Sequence, residues 1–211
     1  MVAEVEAMFA ETRYDTGLAA MSPAVRAALL RVERHRLVAP SDASNAYRNH
    51  PIPIGHGQTI SQPYIVALST ELIAPQPGQA VLDVGTGSGY QAAVLAQVVG
   101  QVFSIELLPP LGKEAEERLR NLGYRNIEIK IGDGYRGWPE KGPFDGIIVS
   151  AAAPDIPRAL VDQLKPGGRM VIPIGATGGA QELVLVTKGA DGSLQRKNVL
   201  AVRFVPLVPG K

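Results

Sequence analysis

One short segment constrains the fold of this chain more than any other stretch. Residues 81–89 read Val-Leu-Asp-Val-Gly-Thr-Gly-Ser-Gly, and a helical run follows over residues 91–99. Val81, Leu82 and Val84 have the apolar character of a strand that is buried on both faces. Glycines at alternate positions let a ligand lie against bare backbone, and the free N–H groups of the following helix face the same turn. The segment therefore predicts a strand, a tight turn and a helix that together bind a nucleoside-containing cofactor.

The identities of the flanking residues narrow the class of cofactor. The glycines over residues 85–89 are spaced G-x-G-x-G, whereas a dinucleotide fingerprint is G-x-G-x-x-G and would have its third glycine at Tyr90. Asp83, inside the strand, would repel a pyrophosphate but suits a cofactor that carries an ammonium group. Glu106 ends the next apolar run, and an acidic residue about 20 positions past the glycines accepts hydrogen bonds from a ribose diol. Together these residues favour a cofactor with an amino acid part.

Composition limits the possible functions. The chain has 211 residues, a hydrophobic fraction of 45%, a net charge of +1 and no cysteine, so we expect one globular domain over 1–211. The missing cysteine excludes disulfides, thiolate metal sites and a cysteine nucleophile. Net charge near neutrality provides no field that attracts nucleic acid. Met1–Ala10 has no basic start typical of a signal peptide, and no apolar run approaches the length of a membrane span. We expect a cytoplasmic monomer with no membrane or nucleic-acid partner.

Strand and helix patterns alternate along most of the chain. Helical spacing covers residues 3–13, 23–36, 62–74, 88–99, 110–122 and 155–164, and strands are predicted near 80–84, 101–106, 126–131, 143–149, 168–174, 181–188 and 197–205. Residues 38–60 are rich in proline and glycine and predict a long loop. An Asp-Gly pair at 191–192 predicts a hairpin turn between the last two strands. The fold class is therefore α/β: a doubly wound, mostly parallel, Rossmann-like sheet with an antiparallel C-terminal ending and an N-terminal helical extension.

The N-terminal part contains one helix with clear end signals. Ser22 is a plausible N-cap for the helix over 23–36, because Pro23 occupies its first position. The polar residues of this helix are predicted to lie mostly on its solvent-facing side: Arg26, Arg31, Glu33 and Arg34.

Asp133 follows the third strand of the predicted sheet. Ligands of open α/β sheets lie outside the carboxyl ends of the strands, so Asp133 could accept a hydrogen bond from an exocyclic amine such as adenine N6. The alternative is a plain Asp-Gly turn. Asp145 precedes the apolar part of the next strand and is predicted to cap or orient the backbone. Residues 164–170 predict a helix stop and a turn.

Residues 55–64 read Gly-His-Gly-Gln-Thr-Ile-Ser-Gln-Pro-Tyr and form the second informative segment. Ser61 stands just before a helix, so it could be an N-cap, or it could bind an anionic substrate group together with the first N–H groups of the helix. His56 is a weak candidate for a general base. The spacing of His35, His50 and His56 does not match a metal site, so no metal is predicted.

These segments together resemble a known family. The turn over 81–89 resembles motif I of the class I S-adenosylmethionine-dependent methyltransferases. The segments 54–64, 82–90, 132–134, 143–149 and 203–208 resemble the bacterial protein-L-isoaspartate (D-aspartate) O-methyltransferases, and the similarity runs from about Ala20 to Val208. The Gly-x-Gly-Gln-Thr-Ile-Ser-Gln-Pro block is specific to that family, whereas the glycine turn is shared by many methyltransferases. The segment 178–181 resembles a loop of the same family.

The resemblance implies an assignment of site residues. It implies residues 1–78 as N-terminal helices and substrate loop, and 79–211 as the cofactor-binding core. Ser61 matches the catalytic residue. The implied substrate-binding residues are Gln58, Thr59, Ile60 and Val208. The implied ligands of S-adenosylmethionine are Asp83, Gly85, Thr86, Gly87, Ser88, Gly89, Glu106, Leu107, Gly132, Asp133 and Gly134.

The resemblance also implies a reaction, methyl transfer to the free α-carboxylate of L-isoaspartyl residues, and to D-aspartyl residues, in damaged proteins. That carboxyl group has a pKa near 3.5 by analogy with a chain terminus, so it is ionised at pH 7 and needs no general base. Ser61 and backbone N–H groups of residues 59–61 would position one carboxylate oxygen, and positioning can supply roughly 7–11 kcal/mol. The resulting methyl ester cyclises without the enzyme, and hydrolysis of the succinimide returns some normal aspartate.

Three other functions are compatible with parts of the sequence. A class I methyltransferase could act on a small molecule or RNA, although residues 150–154 read Ser-Ala-Ala-Ala-Pro and lack the Asn/Asp-Pro-Pro-aromatic motif of base methylation. A non-catalytic domain could bind the cofactor alone, but it would not need the block over 55–63. A nicotinamide oxidoreductase is disfavoured by the glycine spacing.

Overall fold

The structure, a computed structural model, describes residues 1–176 and 178–210. Its strands are β1 Ile52–Gly55, β2 Gln58–Ile60, β3 Ala80–Val84, β4 Gln101–Glu106, β5 Ile127–Ile131, β6 Phe144–Val149, β7 Leu164–Gly175, β8 Gln181–Lys188 and β9 Leu194–Val202. Strands β3 to β9 form a seven-stranded sheet in the order β5-β4-β3-β6-β7-β8-β9. The pairs among β3 to β7 are parallel, and β8 and β9 join antiparallel. The predicted fold class is confirmed.

Seven α-helices surround this sheet in the described part of the chain. They are α1 Val2–Glu11, α2 Arg13–Thr16, α3 Pro23–Arg31, α4 Pro63–Leu72, α5 Tyr90–Leu95, α6 Pro109–Asn121 and α7 Arg158–Asp162. Short 3-10 helices cover Arg34–Leu37, Pro40–Asn45, Gly134–Arg136 and Pro139–Lys141. Ser22 caps α3 as predicted, because its side chain accepts a hydrogen bond from the Val25 N–H group at 3.2 Å.

The strand order reverses beside β3. Strand β4 lies on one side of β3 and β6 on the other, and both pairs are parallel. The two connections that leave this point run in opposite directions, so a crevice opens at the carboxyl ends of β3 and β6. The glycine turn that follows β3 lies at this crevice.

The sheet separates two apolar clusters, and successive residues of its central strands belong to them in turn. Val81 and Val102 belong to one cluster, which also contains Val5 and Phe9 of α1. Leu82 and Phe103 belong to the other, on the opposite face of the sheet. This alternation follows from the two-residue period of a strand. It places Asp83 on the same face of β3 as Val81.

Several predicted boundaries were wrong in the N-terminal part. The helix predicted for 23–36 ends at Arg31, and a 3-10 turn follows. The segment 38–60, predicted as a loop, contains a 3-10 helix and the antiparallel hairpin of β1 and β2. Gly55 and Gly57 have φ of +87° and +70°, respectively, and make the turn of this hairpin. Glycines with positive φ can close a hairpin as well as end a strand, which is why the sequence pattern alone predicts a loop here.

Other helices and strands are close to their predicted ranges. The predicted helices 88–99 and 155–164 are shorter, as α5 and α7. Strand β7 begins at Leu164, four residues before the prediction, and β9 ends at Val202, three residues before it. The turn at 191–192 joins β8 to β9 as predicted, with Gly189 N–H donating to the Ser193 carbonyl at 2.7 Å. Within the described residues, no helix is long and apolar enough to cross a membrane.

Candidate functional site

A cavity of about 880 Å³ opens at the carboxyl ends of β3 and β6. Its wall combines the glycine turn, the β1–β2 hairpin, the start of α4 and the tail that follows β9. The predicted site residues that line it are Gln58, Thr59, Ile60, Ser61, Gly85, Thr86, Gly87, Ser88, Glu106, Leu107, Gly134 and Val208. Asp83, Gly89, Gly132 and Asp133 are not among the lining residues. The fold therefore brings the two informative segments of the sequence to one cavity.

The glycine turn is held by the carboxylate of Glu106. One carboxylate oxygen accepts a hydrogen bond from the Gly87 N–H group at 2.8 Å, and the other accepts one from Leu108 at 3.0 Å. Gly85 and Gly87 have φ of +96° and +52°, backbone angles that residues other than glycine rarely adopt. Glu106 is 7% exposed and faces the cavity. The turn thus offers bare backbone beside an anionic group, which suits a ribose diol.

Asp83 lies beneath this turn and is completely buried. One oxygen of its carboxyl group accepts a hydrogen bond from the Ser104 hydroxyl at 2.8 Å. The other, Oδ1, is buried and has no partner among the described residues. Burial raises the pKa of Asp83 to about 7, opposed by the Ser104 hydrogen bond and reinforced by the charge of Glu106. An unpaired buried acceptor is costly, so a donor from a bound cofactor would stabilise this group.

The raised pKa of Asp83 gives a testable pH dependence. Between the unfolded pKa of 3.8 and the folded value of about 7, the native state holds a proton that the unfolded state has lost. Native stability therefore falls as pH rises through this window, by ~4 kcal/mol at most. The Asp83→Asn variant has no such group. We expect its free energy of unfolding without cofactor, relative to the parent, to increase from pH 4 to pH 7 and then level off in urea titrations. A difference that is flat with pH would contradict this result.

Asp133 acts locally in the structure. Its Oδ1 atom accepts a hydrogen bond from the Tyr135 N–H group at 2.8 Å and caps the 3-10 helix Gly134–Arg136. The predicted contact with an adenine amine would use a remaining lone pair of this carboxylate, whose other oxygen lies 3.8 Å from Arg136 Nε. Asp145 is structural, as predicted, because it accepts from the Ala80 N–H group and from Lys165, both at 2.9 Å.

Ser61 lies between the hairpin and α4 and lines the cavity. The N-cap of α4 is Gln62, and its side chain makes no capping bond, so the N-cap interpretation of Ser61 is wrong. Pro63 has no N–H group, and the Tyr64 N–H group donates to Asn49 Oδ1 at 3.0 Å. These two residues of the first turn therefore give no free N–H group for an anion. The Ser61 hydroxyl has no hydrogen-bond partner in residues 1–176 and 178–210, and it is left free to bind a ligand.

The tail after β9 is fixed against the sheet at two points. The Gln181 side chain accepts a hydrogen bond from the Phe204 N–H group at 2.6 Å and donates to the Phe204 carbonyl at 3.2 Å. Further on, Ala152 pairs with Pro206, and Leu207 N–H donates to the Ala152 carbonyl at 2.7 Å. Val208 is therefore held at the cavity although it is exposed. The role of Gln181 was missed, because its partner lies 23 positions away.

Several other lining residues were not predicted from the sequence. Met8 of α1 and Thr12, between α1 and α2, form part of the wall. Ser150 and Arg203 contribute from the ends of β6 and β9. No local motif marks these residues, because their position depends on how distant segments pack. His56, a weak sequence candidate, lies at the hairpin turn and is not a lining residue. In the described ranges, no three His, Asp or Glu side chains are grouped as a metal site.

The donor and acceptor groups fit S-adenosylmethionine. The cofactor carries an ammonium group, a ribose diol and an adenine. The unpaired Oδ1 of Asp83 lies beneath the glycine turn, the Glu106 carboxylate faces the cavity, and a side chain at Gly87 would meet Ile54 Cδ1 at 3.5 Å. That distance is an ordinary van der Waals contact, so it is the φ of +52° that favours glycine at this position.

Comparison with known proteins agrees with this geometry. A family model described as protein-L-isoaspartate(D-aspartate) O-methyltransferase matches residues 4–211. The protein-L-isoaspartate O-methyltransferase 2 of Polaromonas sp. is 52% identical over 207 residues, with 98% of each chain covered. The protein-L-isoaspartate O-methyltransferase 1 of Cupriavidus necator is also 52% identical, over 99% of this chain and 80% of its own.

A solved structure agrees with this chain in fold. A Plasmodium falciparum protein, described as a putative protein-L-isoaspartate O-methyltransferase in complex with S-adenosyl-L-homocysteine, has a TM-score of 0.77 and 26% identity, with 97% of each chain covered. The match of the family model over nearly the whole chain is decisive: the chain belongs to the protein-L-isoaspartate(D-aspartate) O-methyltransferase family of S-adenosylmethionine-dependent methyltransferases.

Proposed function

We propose that this chain methylates the free α-carboxylate of L-isoaspartyl residues, and the side-chain carboxylate of D-aspartyl residues, in damaged proteins, with Ser61 as the catalytic residue. One observation carries the proposal: the free hydroxyl of Ser61 lines the same cavity as the glycine turn and Glu106. A hydroxyl can donate one hydrogen bond to a carboxylate oxygen and so orient the other oxygen. Ser61 acts here as a positioning donor and not as a nucleophile.

The cofactor half of the cavity has the following proposed roles. Glu106 accepts the ribose hydroxyls. Asp83 lies beneath the glycine turn, outside the cavity lining, and interacts with the ammonium group from there. Asp133 contacts the adenine amine. The turn residues Gly85, Thr86, Gly87, Ser88 and Gly89, together with Leu107, Gly132 and Gly134, surround the cofactor. When bound, S-adenosylmethionine supplies a methyl group on a sulfonium sulfur, which is a good leaving group.

The substrate half is neutral except for one cation. Gln58, Thr59, Ile60 and Val208 are the proposed substrate-binding residues, from the hairpin and the tail. Of the lining residues in the described ranges, the charged ones are Glu106, whose carboxylate holds the glycine turn, and Arg203. The substrate carboxylate is ionised at neutral pH, so the residues have only to bind it, align it and exclude water.

The recognition of the α-carboxylate can be tested with a matched peptide pair. One peptide carries L-isoaspartate with a free α-carboxylate, and the other carries the same residue as its α-amide. We expect formation of S-adenosylhomocysteine with the acid alone. Equal turnover of the amide would show that the carboxylate is not the methyl acceptor.

The state and location of the protein are part of the same proposal. We propose a cytoplasmic monomer that acts on protein and peptide substrates without a nucleic-acid or membrane partner. The net charge of +1 supports the absence of a nucleic-acid partner, because a nucleic-acid enzyme of this size is usually more basic.

Arg203 should give the substrate half a preference for anionic peptides. The residue is exposed and has no ion-pair partner among the described residues. We expect Arg203→Glu to lower kcat/KM for an isoaspartyl peptide roughly fivefold, since an exposed charge contributes about 1 kcal/mol. The loss should shrink at high salt. The matched control is Arg196→Glu on β9, outside the cavity lining, which should leave kcat/KM unchanged. An equal loss in both variants would contradict a local role for Arg203.

A further inference from the structure

Arg34 has a completely buried guanidinium group. The sequence pattern placed it on the solvent side of α3, but its side chain is 0% exposed, in the 3-10 helix Arg34–Leu37. Burial of a charge is costly unless it is paired. No carboxylate forms an ion pair with Arg34 in the described part of the chain. Burial lowers the pKa of Arg34 to about 10, so the group stays cationic at neutral pH.

One side of the guanidinium holds the segment that leads to the hairpin. Arg34 Nε donates to the Ala46 carbonyl at 2.8 Å, and Nη2 donates to the His50 carbonyl at 3.3 Å. Pro51, the next residue, lines the cavity, and β1 begins at Ile52. Arg34 therefore fixes the backbone at the base of the hairpin that carries Gln58, Thr59 and Ile60.

The other side of the guanidinium contacts the cofactor turn. Its central carbon lies 4.4 Å from the centroid of the Tyr90 ring, a cation–π distance. Tyr90 is the first residue of α5, directly after the glycine turn, and it lines the cavity. The hairpin also approaches this turn directly, because a Cβ atom at Gly87 would meet Ile54 Cδ1 at 3.5 Å. One buried group thus touches elements on both halves of the site.

The chemistry of this contact requires arginine. A guanidinium is planar, stacks on aromatic rings and donates in several directions at once, whereas a lysine ammonium is a point charge. An apolar residue at this position would leave the Ala46 and His50 carbonyls without these donors, so Arg34 also stabilises the fold. The contact with the Tyr90 ring adds a link to the glycine turn that backbone support alone does not need.

We propose that Arg34 is a positioning residue that couples cofactor binding to the order of the substrate hairpin. The inference depends on the proposed function only for the assignment of the hairpin to substrate. A cofactor at the glycine turn fixes Tyr90, the ring fixes the guanidinium, and the guanidinium fixes residues 46–50 and the hairpin. Because such coupling is reciprocal, a bound peptide also strengthens cofactor binding.

Hydrogen–deuterium exchange with and without S-adenosylhomocysteine tests this coupling and needs no peptide. In the parent protein, we expect the ligand to slow exchange at residues 84–90 and, at least about fivefold, at residues 46–60. In Arg34→Met, protection at 84–90 should persist and the added protection at 46–60 should be lost. Arg34→Lys, which keeps the charge but not the planar group, should also lose most of it and serves if the Met variant does not fold.

Arg169→Met is the matched control. Arg169 is partly buried and donates to the Leu72 carbonyl at 3.3 Å, outside the cavity lining. Its loss should lower stability and leave the ligand-induced protection at 46–60 intact. Protection at 46–60 that survives in both Arg34 variants, or is missing in the parent, would overturn the proposal. Both results are read from hydrogen–deuterium exchange and do not depend on methyl transfer. The proposed function is tested separately, by methyl transfer to peptides.

Discussion

The Ser61→Ala variant should transfer methyl groups to an isoaspartyl peptide roughly 10- to 100-fold more slowly in kcat/KM than the parent protein. A hydrogen bond to a charged group contributes about 1.5–3 kcal/mol, and the Ser61 hydroxyl is the proposed donor to the carboxylate. The affinity for S-adenosylhomocysteine should be nearly unchanged. Steady-state kinetics with the peptide and calorimetric titration of the cofactor product measure the two quantities separately.

The structure provides a matched serine as a control for this variant. Ser22 caps α3 through its side chain, so Ser22→Ala should lower the free energy of unfolding by about 1 kcal/mol and leave kcat/KM unchanged. Ser61 makes no capping bond, so its alanine variant should retain the stability of the parent. If Ser61→Ala weakened cofactor binding as much as peptide turnover, a role specific to the substrate would be excluded.

The Glu106→Ala variant should have the opposite effect and weaken S-adenosylhomocysteine binding by about 100-fold. The variant loses the proposed acceptor of the ribose hydroxyls. It also loses the hydrogen bonds that hold the Gly87 and Leu108 N–H groups of the turn. Each charge-assisted bond contributes about 1.5–3 kcal/mol. Glu106→Gln keeps one carbonyl acceptor, so the loss of affinity should be smaller. Calorimetric titration measures the dissociation constants.

Glu71 offers a control of the same residue type. Its Oε1 atom accepts a hydrogen bond from the Ser22 N–H group at 2.6 Å, and Glu71 does not line the cavity. Glu71→Ala should therefore lower stability without changing the dissociation constant of S-adenosylhomocysteine. A normal dissociation constant in Glu106→Ala would be incompatible with the proposed ribose contact.

The grouping of the glycine turn with Glu106 could be predicted from the sequence because both follow buried strands that pair as neighbours in the sheet. The turn over residues 81–89 and Glu106 lie on two neighbouring strands, and the parallel register places Val84 beside Ile105. Strand ends of this kind meet at one edge of the sheet, so the pattern predicts the cluster directly. The sheet topology was readable for the same reason, since buried strands and helices alternate.

The proposed substrate half depends on contacts between distant segments, and the sequence predicts only part of it. The sequence predicts a loop over 38–60 because its prolines and glycines indicate breaks, whereas the structure has a hairpin over 52–60. The bond from Gln181 to Phe204 and the approach of Met8 to the cavity follow from packing. Arg34 was misplaced because charge predicts exposure in most helices, and only its tertiary partners show that it is buried.

The most direct test of the proposed function is methyl transfer from labelled S-adenosylmethionine to two peptides of equal sequence. One contains L-isoaspartate and the other normal aspartate at the same position. We predict base-labile label on the isoaspartyl peptide and none on the aspartyl peptide. Label on neither peptide, from a protein that binds S-adenosylhomocysteine, would contradict the proposed function and leave only the cofactor site.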